Sequence, residues 1–182
     1  MLILASGSPR RKELLKKITP SFTVIPAEVD ERSLDGVFSP HDLPLEESRL
    51  KAYYIHALYP NDMVLACDTI VILDNEVLGK PNDEAEAKRM LRKESGKRQI
   101  VLSGYTFITP TREVTRSVPT SVYFNNLSDE EIDAYIKKYK PLDKAGAYGI
   151  QDEAGLIRMI DGSYDNVMGF PTEDIKVHVF NR

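Results

Sequence analysis

Three cations stand together near the start of the chain, at Arg10, Arg11 and Lys12. Ser8 is a good helix N-cap and a proline follows it, so the sequence predicts a helix with these cations in its first turn. A helix N-terminus is already partly positive, which makes them unfavourable there by roughly a few tenths of a kcal/mol. The small loop of residues 6–8 between an apolar strand and this helix is typical of anion pockets. The cluster therefore predicts a polyphosphate site; the alternative is three solvated side chains.

A carboxylate stands inside an apolar run, because Asp68 occupies the middle of MVLACDTIVIL. Burial of a carboxylate without a partner is costly, so Asp68 should carry a proton, pair with a cation or bind a metal. Glu28, Asp30 and Glu31 follow a predicted strand, and a turn there would bring them beside Asp68. Such oxygen ligands suit Mg²⁺ or Mn²⁺. The alternatives are a structural ion pair at Asp68 and plain surface charge in EVDER.

Two isolated lysines could also meet phosphate oxygens. Lys80 lies between a glycine and a proline directly before a predicted helix, where a rigid turn would present it. This is not a Walker A loop, because no Ser or Thr follows the lysine. Lys51 lies on a predicted helix and is otherwise an ordinary exposed lysine. Together these cations and acids predict phosphoanhydride chemistry, in which a metal and cations neutralise charge on phosphate oxygens.

Several other classes of site find no support in the sequence. The histidines, at positions 41, 56 and 178, do not have the spacing of zinc ligands. The sequence contains neither a G-x-S-x-G nucleophile elbow nor a GxGxxG dinucleotide fingerprint. A formal net charge of -4 argues against binding to a nucleic-acid polymer.

The composition is that of an ordinary soluble globular protein, with 182 residues of which 42% are hydrophobic and 29% charged. Cys67 is the single cysteine, which excludes an internal disulfide. The N-terminus lacks the pattern of a signal peptide, and no run approaches the ~18 apolar residues of a membrane span. We therefore expect a cytoplasmic protein that does not contact a membrane.

The hydrophobic patterns predict a mixed α/β framework for these residues. Apolar and β-branched runs predict strands at residues 2–5, 22–25, 63–73, 99–109, 117–124, 156–160 and 175–180. Helical periodicity predicts helices at residues 8–18, 44–58, 83–95 and 128–139. Ser128 and Glu131 form a capping box at the start of the last helix. Strands interleaved with helices, with long runs around residues 99–125, predict a mixed, partly antiparallel sheet.

Half of the glycines fall in one stretch, since five of the ten lie between Gly146 and Pro171. Close approach of the backbone to a ligand would be easy there, so this stretch could line a ligand cleft. The alternative is a series of turns between short strands.

Longer stretches of the sequence resemble one protein family. LASGSPRRKELL, VDE, CDTIVILDNEVLGKP, EAKRMLRKESG, DKAGAYGIQ and GSYDNVMGFP occur in the order seen in Maf family proteins. The match spans nearly the whole chain, and several blocks in order are far more specific than any single motif. The resemblance implies one Maf-like domain over residues 1–182: a mixed, twisted α/β sheet with flanking helices and two lobes around a deep cleft. This architecture is related to that of the inosine triphosphate pyrophosphatases.

The resemblance also implies an activity. Maf family proteins carry out metal-dependent hydrolysis of nucleoside triphosphates to monophosphate and pyrophosphate, a house-cleaning reaction with a link to septum formation and cell-division arrest. The blocks SPRR, DT and GAYGIQ resemble the branch that acts on dTTP and UTP rather than the branch that acts on 7-methyl-GTP. The implied cofactor is Mg²⁺ or Mn²⁺. Because family members often dimerise, we also expect a homodimer.

The resemblance assigns roles residue by residue. Asp68 matches the family's catalytic proton acceptor, and Asp68 and Glu31 are the expected metal ligands. The positions associated with substrate choice are Arg10, Thr69 and Gln151. The positions expected around the phosphates are Ser6, Arg11, Lys51 and Lys80.

The chain departs from the family pattern at two single positions and along one helix. Gln99 replaces the family's usual histidine, and Asp152 stands where glycine is common. The helix that carries Lys51 reads ESRLKAYYIHAL, which is less close to the usual pattern. Two other functions stay open: a nucleotide-binding regulator of septum formation without turnover, and a phosphate-binding interaction module without nucleotide preference.

Overall fold

The computed structural model describes residues 1–152 and 154–182. Its strands are β1 (Leu2–Leu4), β2 (Thr23–Val24), β3 (Met63–Leu73), β4 (Glu76–Leu78), β5 (Arg98–Thr109), β6 (Arg112–Phe124) and β7 (Ile157–Asp161). Its α-helices are α1 (Pro9–Lys16), α2 (Leu43–Leu58), α3 (Glu84–Glu94), α4 (Asp129–Tyr139), α5 (Tyr164–Met168) and α6 (Thr172–His178). Short 3₁₀ segments occur at Pro141–Asp143, Ala145–Ala147 and Ile150–Asp152.

The strands form one seven-stranded sheet in the order β2-β1-β3-β5-β6-β7, and β4 pairs with β3. β1 runs parallel to both β2 and β3, with Ile3 opposite Val64. β4 is antiparallel to β3 and β7 is antiparallel to β6. Only two residues join β5 to β6, which is the length of an antiparallel hairpin. The mixed, partly antiparallel sheet with flanking helices is therefore confirmed.

The chain divides into two compact units. The first comprises Met1–Thr69, Leu102–Val118 and Gly169–Arg182, and the second comprises Ile70–Val101 and Pro119–Met168. Buried residues from β1, α2, β3 and β5, together with the alanine that follows β1, form a core in the first unit: Ile3, Ala5, Ala52, Ile55, Val64, Ala66 and Ile108. In the second unit, a larger core contains Leu91 of α3, Val122 of β6 and Ile136 of α4.

Local sequence signals position most elements correctly. β3 has the predicted bounds, and α2 and α3 begin and end within one residue of the predicted helices. α4 starts with the predicted capping box, in which the Ser128 hydroxyl and the Glu131 side chain each bind the other residue's backbone N–H. β6 begins at Arg112, five residues before the predicted Ser117, because the turn after β5 is shorter than FITPTREVTR suggested.

The strand predicted at residues 175–180 is wrong, because residues 175–178 lie in helix α6 and residues 179–180 form the turn after it. Ile175 and Val179 are buried, whereas Val177 is 55% exposed. Burial four residues apart is the helical period, not the alternation of a strand. Pro171 precedes the helix, and two acidic residues, which suit a helix N-terminus, lie in its first turn. Ile175 and Val179, two of the β-branched residues that indicated a strand, therefore lie on one buried helical face.

The backbone of β5 contacts the first turn of α2 directly at Gly104. A Cβ on Gly104 would lie 2.3 Å from the Pro44 carbonyl carbon and 2.4 Å from the Leu45 nitrogen. Two residues along β5, the Thr106 hydroxyl lies 2.8 Å from the Ser48 hydroxyl of α2. These contacts fix the helix that carries Lys51.

Substitution of Gly104 by alanine is therefore expected to lower the free energy of unfolding by about 3 kcal/mol, since the added methyl would overlap backbone atoms that cannot rotate away. Urea unfolding measures this loss. Gly79→Ala is the matched control, because nothing lies within 4 Å of a Cβ there. Equal stability of the two variants would contradict the packing described.

Candidate functional site

The loop between β1 and α1 is folded back by its own serines. Ser6 is buried, and its hydroxyl accepts a hydrogen bond from the Ser8 N–H at 3.2 Å. Ser8 caps α1 as predicted, since its hydroxyl accepts from the Arg11 N–H at 3.4 Å. The loop therefore presents a helix N-terminus beside two small hydroxyl side chains, which is the geometry of an anion pocket.

Arg11 joins residues that are far apart in the sequence. Its Nε donates to the Gly169 carbonyl at 2.8 Å, and its Nη2 donates to the Thr69 hydroxyl at 3.3 Å. Its Nη1 lies 3.4 Å from the Ser6 hydroxyl. Thr69 also donates to Gly169 at 3.2 Å and shares a 2.7 Å hydrogen bond with Ser103. The structure thus brings together Ser6, Arg11 and Thr69, three of the predicted site residues, and adds Gly169 and Ser103.

The other two cations of the first turn are placed differently. Arg10 is half-buried, and within the described ranges its side chain makes no hydrogen bond or ion pair. Lys12 is exposed. Of the three predicted cations, Arg11 is the one whose orientation the fold fixes, whereas Arg10 and Lys12 keep their rotamer freedom.

Lys51 is the centre of a buried charge cluster. Its side chain is only 7% exposed, and Nζ lies 3.0 Å from Asp68 Oδ1 and 3.0 Å from Glu31 Oε1. Burial, the largest single influence, lowers the pKa of Lys51, but the nearby carboxylates of Asp68 and Glu31 raise it overall. The turn in EVDER places Glu31 near Asp68, and the Lys51 ammonium bridges their two carboxylates. Lys51 in turn is held by two acids rather than exposed.

Glu47 is a residue of this cluster that the sequence reasoning missed. It is 3% exposed, and both of its carboxylate oxygens lack a hydrogen-bond partner among the residues described. It lies four residues before Lys51, on the same face of α2, yet the ammonium of Lys51 contacts Asp68 and Glu31 instead. Burial raises the pKa of Glu47 to about 7, and the negative charge of Asp68 adds to this effect. The one available signal was the helical period, which places an acid on the inner face of α2 one turn before Lys51.

The donor set of this cluster fits a hard divalent cation. In the part of the chain that the structure describes, no group of three or more His, Cys, Asp or Glu residues is close enough to hold a metal. Mg²⁺ at phosphate sites usually binds one or two carboxylates and takes its other oxygens from water and substrate. Asp68 and Glu31 supply two carboxylates. Glu47 lies close enough for the charges of Asp68, Lys51 and Glu31 to influence its pKa.

The raised pKa of Glu47 predicts a pH-dependent stability. Between about pH 4.5 and 7 the unfolded chain releases a proton that the folded protein keeps, so stability falls as pH rises through this window. We expect Glu47→Gln to abolish this slope, so that its stability relative to the parent rises by up to about 3 kcal/mol between pH 5 and pH 8.

Urea unfolding at both pH values tests this expectation, with Glu46→Gln as the matched control on the same helix. Glu46 is a partly exposed residue whose ion pair with Arg49 is 3.8 Å long. A constant stability difference between Glu47→Gln and the parent at pH 5 and pH 8 would refute the assignment.

Two predicted substrate residues belong to the second unit. Lys80 is exposed in the turn between β4 and α3, and Gln151 is exposed in the 3₁₀ segment Ile150–Asp152. The departure at Asp152 has a structural use, because its carboxylate accepts a hydrogen bond from the Tyr135 hydroxyl at 2.6 Å. That hydroxyl also accepts from the Gly149 N–H at 2.9 Å. Tyr135 of α4 therefore fixes both ends of the turn that presents Gln151.

A cavity of about 290 Å³ lies beside this turn, within the second unit. Its walls include the aromatic rings of Tyr135 and Tyr148 and the backbone of Gly149. Its size is at the lower end of the range for small-molecule sites, and its lining of aromatic and apolar groups is typical of them.

No helix in the described residues has the length and apolarity that crossing a membrane requires.

Comparison with known proteins gives consistent matches. A family model described as Maf-like protein matches residues 1–179. A protein of Thermococcus gammatolerans named dTTP/UTP pyrophosphatase is 46% identical over 176 residues, which cover 96% of this chain and 93% of that protein. A protein of Bacillus mycoides with the same name is 44% identical over 171 residues, covering 93% and 89%.

One solved structure gives the fold independently. A HAM1 protein from Coxiella burnetii aligns with a TM-score of 0.56 and 11% identity, covering 100% of this chain and 98% of that one. At this identity the likeness concerns the fold alone. Since the family model covers nearly the whole chain and the curated relatives share almost half of its residues, the chain belongs to the Maf family.

Proposed function

We propose that the chain is a nucleoside triphosphate pyrophosphatase that hydrolyses dTTP and UTP to the monophosphate and pyrophosphate. The observation that carries this proposal is the Lys51 cluster, in which an ammonium holds Asp68 and Glu31 at 3.0 Å each. The same compact unit contains the Arg11 cluster and the serine loop. The relatives named dTTP/UTP pyrophosphatase support both the reaction and the choice of substrate.

In this proposal the serine loop and Arg11 bind the triphosphate. The guanidinium now donates to neutral oxygens of Gly169, Thr69 and Ser6. Hydrogen bonds between a guanidinium and a phosphate are roughly twice as strong as neutral ones, so phosphate oxygens are the better acceptors. Lys80 adds a second cation, for which an exposed side chain on a short turn is suited.

Asp68 acts as the general base. Lys51 binds one carboxylate oxygen of Asp68, Oδ1, and thereby orients the other oxygen. Asp68 takes a proton from the water that attacks the α-phosphorus, a new P–O bond forms, and the bond to the bridging oxygen breaks. Pyrophosphate leaves with the electron pair of that bond. Correct positioning of such a base contributes about 100-fold or more to the rate.

We propose Mg²⁺ or Mn²⁺ as the cofactor, held by Glu31 and Asp68. When bound, the cation would neutralise the charge that develops on the phosphate oxygens. Support comes from the two carboxylates around Lys51 and from the oxygens of Glu47, for which the described residues supply no hydrogen-bond partner.

Choice of the base is assigned to Arg10, Thr69 and Gln151. The Gln151 amide can both donate and accept a hydrogen bond, which matches the edge of a pyrimidine. Its exposed side chain is available for such contacts. Thr69 acts through its bonds to Ser103 and Gly169, which fix its hydroxyl beside Arg11.

The Lys51 and Asp68 ion pair also suits a second candidate, a nucleotide-binding regulator of septum formation that does not turn the nucleotide over. In that case Asp68 is only a metal ligand or a structural partner of Lys51. The homodimer, the cytoplasmic location and the link to cell division stay predictions.

The deciding experiment measures release of pyrophosphate and monophosphate from dTTP, UTP, CTP, 7-methyl-GTP, ITP and dATP. Each reaction contains Mg²⁺ or Mn²⁺ and is repeated with a chelator. We expect turnover of dTTP and UTP that the chelator abolishes. Nucleotide binding without any product would favour the regulator instead.

A further inference from the structure

Glu94 and Gln99 form a buried polar pair in the second unit. Glu94 ends α3 and Gln99 is the second residue of β5, and their exposed fractions are 0% and 1%. The Gln99 Nε2 donates to Glu94 Oε1 at 3.2 Å. An ionised carboxylate at this depth is costly unless a cation compensates it. Within the described chain, burial and this hydrogen bond are the influences on Glu94, and neither an ammonium nor a guanidinium is among them.

Each residue of the pair has one further side-chain polar atom, and both of these atoms are oxygens. Glu94 Oε2 and Gln99 Oε1 are both buried, and neither has a hydrogen-bond partner among the described residues. Both are acceptors while Glu94 is ionised, so they cannot bond to each other. A proton on Oε2 turns it into a donor, and a carboxylic acid then offers one donor and one acceptor to the amide. A proton on Glu94 Oε2 would therefore complement the partnerless oxygen of Gln99.

We propose that Glu94 keeps its proton in the folded protein and closes a second hydrogen bond to Gln99, and that this neutral pair positions the backbone that carries Lys80 and Gln151. The part that concerns the substrate depends on the function proposed above. The part that concerns the proton does not.

Gly146 links the pair to those two residues. A Cβ at Gly146 would lie 2.6 Å from Glu94 Oε1, so the backbone there rests directly against the carboxyl group. Gly146 has a φ of 71°, which favours glycine, and its N–H donates to the Gly79 carbonyl at 3.1 Å. Gly79 precedes Lys80, and the segment after Gly146 leads to Gln151. Glu94 therefore supports a junction between the two predicted substrate-binding segments.

The groups around Glu94 favour its neutral form. α3 packs against α4 and against the 3₁₀ segments at residues 141–143 and 145–147. From these directions the phenol of Tyr148 lies near Glu94, and burial raises the pKa of Tyr148 well above its usual value, so this neighbour adds no charge beside the carboxyl group. Lys144 is paired with Asp143 at 3.2 Å. Burial raises the pKa of Glu94 well above its usual value, consistent with a retained proton.

The proton is tested without any substrate, by thermal unfolding of the parent and of Glu94→Gln between pH 5 and pH 8. Above its ordinary pKa, the unfolded chain releases the Glu94 proton that the folded chain keeps, so the parent loses stability as pH rises. Glutamine needs no proton to pair with Gln99. We expect the Tm of Glu94→Gln relative to the parent to rise by about 4 °C per pH unit. The contribution of Glu47 is common to both proteins and cancels.

Glu84→Gln is the matched control, since Glu84 is exposed in the first turn of the same helix, and its Tm should follow the parent at every pH. A pH-independent difference between Glu94→Gln and the parent would overturn the proposal. Infrared difference spectra of the two folded proteins at pH 7 give a second measurement. The carbonyl band of a protonated carboxyl should be present in the parent and missing in Glu94→Gln, and a carboxylate band at this position would also overturn it.

The positioning role is tested by steady-state kinetics with dTTP. Glu94→Leu leaves Gln99 without a partner, so we expect KM to rise about 10-fold while kcat changes little, because a misplaced binding segment mainly weakens substrate binding. Glu94→Gln should keep the parental KM. An unchanged KM in Glu94→Leu would overturn the positioning role. Failure of the parent to turn over dTTP would instead count against the proposed function and leave the unfolding and infrared results standing.

Discussion

Asp68→Asn protein is expected to fold as the parent does and to lose at least about 100-fold in the rate of pyrophosphate release. The amide has the shape of the carboxylate and can still accept a hydrogen bond from Lys51 at the Oδ1 position. It cannot take a proton from the attacking water. Binding of dTTP should therefore persist while turnover is lost, and a binding titration beside the rate assay separates the two.

The matched control for this variant is Asp74→Asn. Asp74 directly follows β3, is exposed, and pairs with Lys97 at 2.9 Å. Its φ of 50° is one that asparagine accepts readily. We expect parental activity from this protein. Full turnover in Asp68→Asn would remove Asp68 from the role of general base and leave it as the structural partner of Lys51.

Lys51→Met is the second substitution with a large expected effect, and it should damage both activity and stability. It leaves Asp68, whose side chain is 16% exposed, without its ammonium beside the buried Glu47. Removal of one partner from a buried ion pair is strongly destabilising, and because Asp68 retains some water we expect a loss of about 2 kcal/mol. Activity should fall by about 100-fold or more, since the base loses its orienting partner.

A double-mutant cycle makes this prediction specific. Lys51→Met combined with Asp68→Asn should recover part of the lost stability, because the uncompensated charge is gone, but none of the activity. Lys88→Met is the control, since Lys88 pairs with Asp133 at 2.7 Å at the protein surface, with side chains 28% and 56% exposed, where ion pairs contribute little. Destabilisation of the double variant equal to the sum of the single losses would contradict the coupling.

The fold was predictable where local signals act. Ser8 and Ser128 cap their helices as the sequence predicts, because an N-cap hydrogen bond involves residues only three positions apart. The strand from Met63 to Leu73 is long, apolar and β-branched, so propensity and burial agree. The strand prediction at residues 175–180 was wrong because β-propensity reflects packing on a sheet surface. Here Ile175 and Val179 are buried with the spacing of a helix instead.

The candidate site was predictable in its residue types but not in its contacts. Arg11, Lys51 and Asp68 stood out because cations in a first helical turn and an acid in an apolar strand are locally unfavourable. Nothing in their spacing indicated that Lys51 would be held by Asp68 and Glu31. Glu47 and the pair formed by Glu94 and Gln99 were missed, because the burial of their polar atoms arises only once the chain has packed.

The sequence by itself determined the family, the helix caps and the residues able to bind phosphate or a metal, since these depend on residue identity and short spacing. The tertiary structure alone decided which groups meet. The bond from Arg11 to Gly169 spans 158 positions, and the ion pair of Lys51 with Glu31 joins a loop to a helix. Burial, hydrogen-bond partners and pKa shifts all follow from such long-range contacts, and residue spacing does not contain them.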